Sequence, residues 1–65
     1  MDKARLEYEM KKKGISTAEL CKKVGISVSA FYRKCNEITE FKLCEIKKIA
    51  EILDLDSVTP IFFVK

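Results

Sequence analysis

Five of the 65 residues, Ser27, Val28, Ser29, Tyr32 and Arg33, combine types and spacing suited to recognition chemistry. A helix from Val28 to Cys35 turns Phe31 and Cys35 inward, leaving Val28, Ser29, Tyr32 and Arg33 outside and Lys34 at the margin. An idle helix face is usually dominated by Glu, Lys and Gln. This one mixes a β-branched apolar group, a hydroxyl, a phenol and a guanidinium, with no acid. Such groups suit base edges: Arg for guanine, Ser for several bases, Val for a thymine methyl. Tyr32 has two readings, a contact to phosphate or sugar and a half-buried support for its own domain.

The stretch Ser16 to Cys35, STAELCKKVGISVSAFYRKC, must hold these side chains in place. Ser16 followed three residues later by Glu19 is a capping-box signal, so a helix is expected from about Thr17. Leu20, Cys21 and Val24 form its apolar stripe, with Thr17, Lys22 and Lys23 on its outer face, and Gly25 suits the left-handed conformation that ends it. Ile26 plugs the turn, and Ser27 is a good N-cap for the next helix. Two short helices joined in this way form a helix-turn-helix.

The flanks read as support. Lys3 to Lys13 predict a first helix, with Leu6 and Met10 one turn apart and three lysines at its end, where cations complement the helix dipole. Those lysines have a second reading as part of a polyanion-binding face. Gly14 stops the helix, and Ile15 tucks under it. After a loop over Asn36 to Thr39, a fourth helix runs to about Asp54, with Leu43, Ile46, Ile49, Ala50 and Leu53 as core. Its start is open between Thr39, the better capping residue, and Lys42, which would put Glu45 at N3 and pair Phe41 with Ile46 as a staple. Ile52 falls off the main stripe. Pro60 excludes a long helix through the tail, and the run Ile61, Phe62, Phe63, Val64 is either a flap over the core or a subunit contact.

Composition sets the class. One domain spanning 1–65 is all the length allows, and a chain this short buries only about 60% of its unfolded surface. Hydrophobic residues at 48% and charged residues at 35% describe a packed core under a charged exterior. The formal charge is +3, unevenly placed: residues 1–35 carry nine Lys/Arg against four Asp/Glu, net +5, and residues 36–65 carry four against six, net −2. Basic charge thus accompanies the helix-turn-helix, as a polyanion-binding face needs, although it also suits a solvated surface. Cys21, Cys35 and Cys44 match no metal-ligand spacing and read as small buried apolar groups, and the chain has no histidine. No metal or cofactor is expected, and no nucleophile–base pair or phosphate loop supports an enzyme or a small-molecule ligand. With no run near the roughly twenty apolar residues of a membrane span, and an N-terminus unlike a secretion signal, a cytoplasmic location is expected.

The frame STAELCKKVGISVSAFYRK, with Leu20, Cys21, Val24, Gly25, Ser27 and Phe31, resembles the helix-turn-helix of the phage repressor and Cro class of transcriptional regulators. EFKLCEIKKIAEILDLD and the closing IFF look like small phage-encoded members of that class. The resemblance implies an all-α, compact lambda repressor-like bundle of four or five helices, binding operator DNA commonly as a dimer on a pseudo-palindrome in a bacterial host cell. By position, Ser16 or Thr17 would meet phosphate, Ser27, Val28, Ser29, Tyr32 and Arg33 the major groove or its flanks, and Asn36 and Lys42 the backbone beyond. Lys22 joins the DNA-binding set as a phosphate contact, and Ile52, Ile61, Phe62 and Phe63 form the expected dimer interface. Departures are Cys21 where Ala is usual, Cys35 where a larger aliphatic is common, and Lys42 where a capping hydroxyl is frequent. A different reading keeps the fold without DNA: an antirepressor or host-protein inhibitor, favoured by the acidic second half and apolar tail.

Overall fold

Asp2, Ser16 and Ser27 each accept the backbone N–H three residues on, from Arg5, Glu19 and Ala30 at 3.1, 3.2 and 3.1 Å. Helices start directly after all three, because these bonds satisfy donors that have no partner inside the helix. The computed structural model describes residues 1–63, arranged as α1 (Lys3–Lys13), α2 (Thr17–Val24), α3 (Val28–Cys35), α4 (Leu43–Leu53) and α5 (Thr59–Phe62). The architecture is the all-α bundle expected, with no strand among the described residues.

The first four helices close in one way. Gly14, Gly25, Glu37 and Asp54 take positive φ of 68°, 90°, 62° and 52°. The next residue's N–H then donates back to the carbonyl five residues earlier: Ile15 to Met10, Ile26 to Cys21, Ile38 to Arg33, and Leu55 to Ala50. This is the Schellman arrangement, and an apolar residue commonly follows the left-handed one. Ile15, Ile26 and Leu55 pack on the core as that pattern requires. Ile38 does not, and 69% of it is exposed. Glu37 and Asp54 hold left-handed geometry without being glycine, at a cost of about 1 kcal/mol each.

Leu6 and Met10 of α1, Leu20, Cys21 and Val24 of α2, Phe31 and Cys35 of α3, and Ile49 and Leu53 of α4 form one core. α4 packs against α2 and α1, α5 against α1, and α3 mainly against α2. Ile61 of α5 belongs to this core at 1% exposure, and its carbonyl accepts the Asp2 N–H at 2.7 Å. Pro60 lies in the first turn of α5, where its missing N–H costs nothing.

Of the two starts open for α4, the structure takes Lys42, because the Glu45 carboxylate accepts the Lys42 N–H at 2.8 Å. Other expectations need correction. Leu43 is 63% exposed rather than core, and Ala50 is half-buried. At about 100° per residue, Leu43 lies roughly 60° to one side of the buried Ile46, on a side of the first turn that stays in solvent. Cys44 is exposed instead of buried, being off the stripe altogether. The Ser16 capping box is half-formed: Ser16 Oγ accepts the Glu19 N–H, but the Glu19 carboxylate takes the Ser16 hydroxyl proton at 3.3 Å rather than the Ser16 N–H. Val64 of the expected apolar tail lies outside the described residues.

Candidate nucleic-acid interface

α3 is short and strongly two-faced. Phe31 and Cys35 are buried at 3% and 7%, while Val28 at 40% and Tyr32 at 50% stand out with exposed Ser29 and Arg33. Gly25 makes this presentation possible. At φ +90° it turns the chain in two residues from the end of α2 to the Ser27 cap. No atom lies within 4 Å of where a Cβ would stand at Gly25, so backbone conformation alone demands glycine there.

Tyr32 packs on its own domain and still faces solvent. Its ring meets Phe31 edge-on, with centroids 5.9 Å apart at 70°, while half of the residue remains in solvent. The ring is therefore anchored to the core. Ser27 Oγ accepts the Ala30 N–H, which leaves the hydroxyl proton free to donate outward.

Around α3 the placements divide. Lys22 and Lys23 are exposed on α2, and Thr17 is half-buried at its start. The Ser16 hydroxyl is used in both directions by Glu19, so only N–H groups of the first turn are left to meet an anion there. Glu19 also places an acid beside that point. Asn36 is exposed, but its Oδ1 accepts Lys3 Nζ at 3.0 Å. Lys42 is exposed at the N-terminal end of α4.

Lys34, marginal in the sequence, is tied back into the domain. Its Nζ lies 3.1 Å from Glu45 Oε1, donates to the Glu40 carbonyl at 3.1 Å and sits 5.9 Å from the Phe41 ring centroid. Glu45, the one buried charged residue among those described, was missed. The signal was its N3 position, which the Lys42 start implied. Burial pushes the Glu45 carboxyl up, but the Lys42 N–H, then the hydrogen bond and charge of Lys34 and the charge of Lys42, outweigh it and hold the group below its ordinary value. Glu37 is also lowered, first by its hydrogen bond with the Met1 amine at 2.8 Å and then by that amine's charge.

Of the expected dimer residues, Ile61 is buried within its own chain and offers no side-chain surface. Ile52 is half-buried against the core, Phe62 packs edge-on against Phe41 at 5.3 Å, and Phe63 is 56% exposed. Phe41, Phe62, Phe63 and Ile46 help line an open cavity of about 310 Å³ with Glu37 and Glu40 at its polar side.

A five-helix all-α bundle with a capped helix-glycine turn-helix, the second helix presenting an acid-free face, defines a helix-turn-helix DNA-binding domain. Residues 5–57 match the Cro/C1-type HTH DNA-binding domain family, well over half of the chain. The chain belongs to that family, whose members are DNA-binding regulators rather than enzymes. No curated protein and no solved structure matches it. Among the described residues, no helix is long and apolar enough to cross a membrane.

Proposed function

We propose that this domain is a sequence-specific transcriptional regulator of the repressor/Cro kind, in which α3 enters the major groove of operator DNA. The observation that carries this reading is the outer face of α3, where Val28, Ser29, Tyr32 and Arg33 stand in solvent with no acid among them. Arg33 reads guanine, Val28 meets a thymine methyl, and Ser27 and Ser29 donate to base edges or flanking phosphate. Tyr32, fixed by Phe31, contacts the sugar-phosphate edge. α2 lies across the backbone, with its first-turn N–H groups and Lys22 on phosphate, and Lys42 and Asn36 flank the far side. Asn36 would contact phosphate through its amide NH₂, since its oxygen is held by Lys3.

Two copies related by a two-fold axis would place their α3 helices about 34 Å apart, one turn of DNA, on a pseudo-palindrome. Phe63, with the half-buried Phe62 and Ile52, supplies the apolar contact between copies, and the exposed Ile38 and Leu43 are further candidates. The setting is the cytoplasm of a bacterial host, acting on nucleoid DNA, with a phage origin. Selection of bound duplexes from a random pool tests the reading. Enrichment of a palindrome with half-sites one turn apart supports it, and an unenriched pool contradicts it.

Ile38, Leu43 and Phe63, at 69, 63 and 56% exposure, also favour a second reading. Large apolar groups left in solvent mark an interaction surface, so an antirepressor or inhibitor of a host protein would use them while leaving α3 idle. An unenriched pool together with a stable protein complex would favour it.

A further inference from the structure

α3 rests mainly on α2, so its angle to the rest of the domain needs a second anchor. Lys34, on the last turn of α3, provides one. Its side chain is 11% exposed, and its ammonium reaches Glu45 of α4, the Glu40 carbonyl in the connection, and the face of Phe41. Glu45 in turn accepts the Lys42 N–H that starts α4. One carboxylate therefore holds both the end of α3 and the beginning of α4.

We propose that the Lys34–Glu45 pair is a positioning device for DNA recognition, holding α3 at a fixed angle rather than lending the Lys34 charge to phosphate. This rests on the DNA-binding reading above. The neighbouring Arg33 is exposed and free to reach DNA, whereas Lys34, one residue on, is folded back onto partners that use its ammonium. A buried ion pair is a poor device for stability alone, because desolvation offsets much of its attraction and an apolar pair of the same size can serve as well. What the pair supplies is direction. Charge-assisted bonds to two fixed oxygens restrict where the end of α3 lies more tightly than apolar packing does.

Glu45→Gln separates positioning from simple electrostatics. It keeps the volume and an acceptor for the Lys42 N–H but weakens the grip on Lys34. Removing an acid raises the formal charge from +3 to +4, which should hold or raise affinity for any DNA. If the pair positions α3, affinity for the duplex enriched from a random pool instead falls about fivefold, while affinity for an unrelated duplex holds or rises. Both are measured well below the melting midpoint. Affinities that rise together, or stay unchanged, overturn the proposal.

Should Glu45→Gln fail to fold, Glu45→Asp keeps the charge and sets the carboxylate one methylene short. The ratio of enriched to unrelated affinity should again fall, and an unchanged ratio overturns the idea. A readout without DNA is the backbone amide spectrum of either variant. Shifts reaching Val28 and Ser29 at the far end of α3 are expected, and shifts confined to residues 34 and 40–46 would contradict positioning. If the parent protein enriches no sequence, the DNA reading fails, and the amide spectrum still decides whether the pair orients α3.

Discussion

The ammonium of Lys34 on α3 lies 3.1 Å from Oε1 of Glu45 on α4, with 11% of each side chain exposed. The contact makes stability depend on a carboxylate that the folded state holds below its ordinary value of 4.5. The unfolded chain therefore takes up the proton first on acidification. The contribution is complete above about pH 4.5 and is lost as pH falls through the lower folded value. Glu37, lowered by the Met1 amine, acts in the same direction. Denaturant midpoints should be flat from pH 7 to 5 and drop below that, with a shallower drop in Glu45→Gln. A parent and variant with identical acid limbs would contradict this account of the pair.

Thiol chemistry should single out one cysteine of three. Cys44 is exposed, while Cys21 and Cys35 are buried and their thiols are pushed up by that burial, Cys35 to about 11. A thiol reagent added to the folded protein at neutral pH should add one label, mapped to Cys44 by mass spectrometry, and three after denaturation. Rapid native labelling at Cys21 or Cys35 would mean that the α2–α3 core opens readily.

The start of α2 carries opposing charges. Glu19 lies where a phosphate would meet the free N–H groups, while Lys22 stands exposed one turn further on. Glu19→Gln should strengthen binding to all duplexes at low salt, since it removes a like charge from the phosphate. Lys22→Gln should weaken binding to all duplexes and make the salt slope shallower by about one unit. An unchanged slope would remove Lys22 from the phosphate contacts.

Ile61 and Phe63 are two residues apart and should behave oppositely. Ile61 is 1% exposed, so Ile61→Ala should destabilise by about 2–5 kcal/mol, enough to unfold much of so small a domain. Phe63 is 56% exposed, so Phe63→Ala should leave the melting temperature nearly unchanged and reduce self-association on DNA, as read by sedimentation. A Phe63→Ala variant with unaltered association would exclude Phe63 from the dimer contact.

These contrasts follow what residue spacing alone makes legible. The caps at Ser16 and Ser27 and the stops at Gly14 and Gly25 act locally, through bonds spanning three to five residues, and they stand where sequence spacing put them. The inward and outward sides of α3 also follow from helical period alone. Leu43 was misread because a stripe tells direction around a helix but not where neighbouring elements stop covering it, and Cys44 because it lies off that stripe. The N3 position of Glu45 was legible but its burial was not, because an N3 carboxylate is ordinarily a solvent-facing cap; the Lys42 N–H and the arrival of Lys34 from another helix together make that burial tolerable. The tail likewise offers two readings, and the Asp2–Ile61 bond decides them for Ile61 alone, which packs with α1.

The most direct test of the α3 reading is a binding titration of Arg33→Ala on the duplex enriched from a random pool. The substitution should cost about 1–3 kcal/mol on that duplex, relax preference at one base pair and leave the melting temperature close to the parent value. Unchanged affinity and unchanged base preference would contradict the assignment of α3 as the helix that reads DNA.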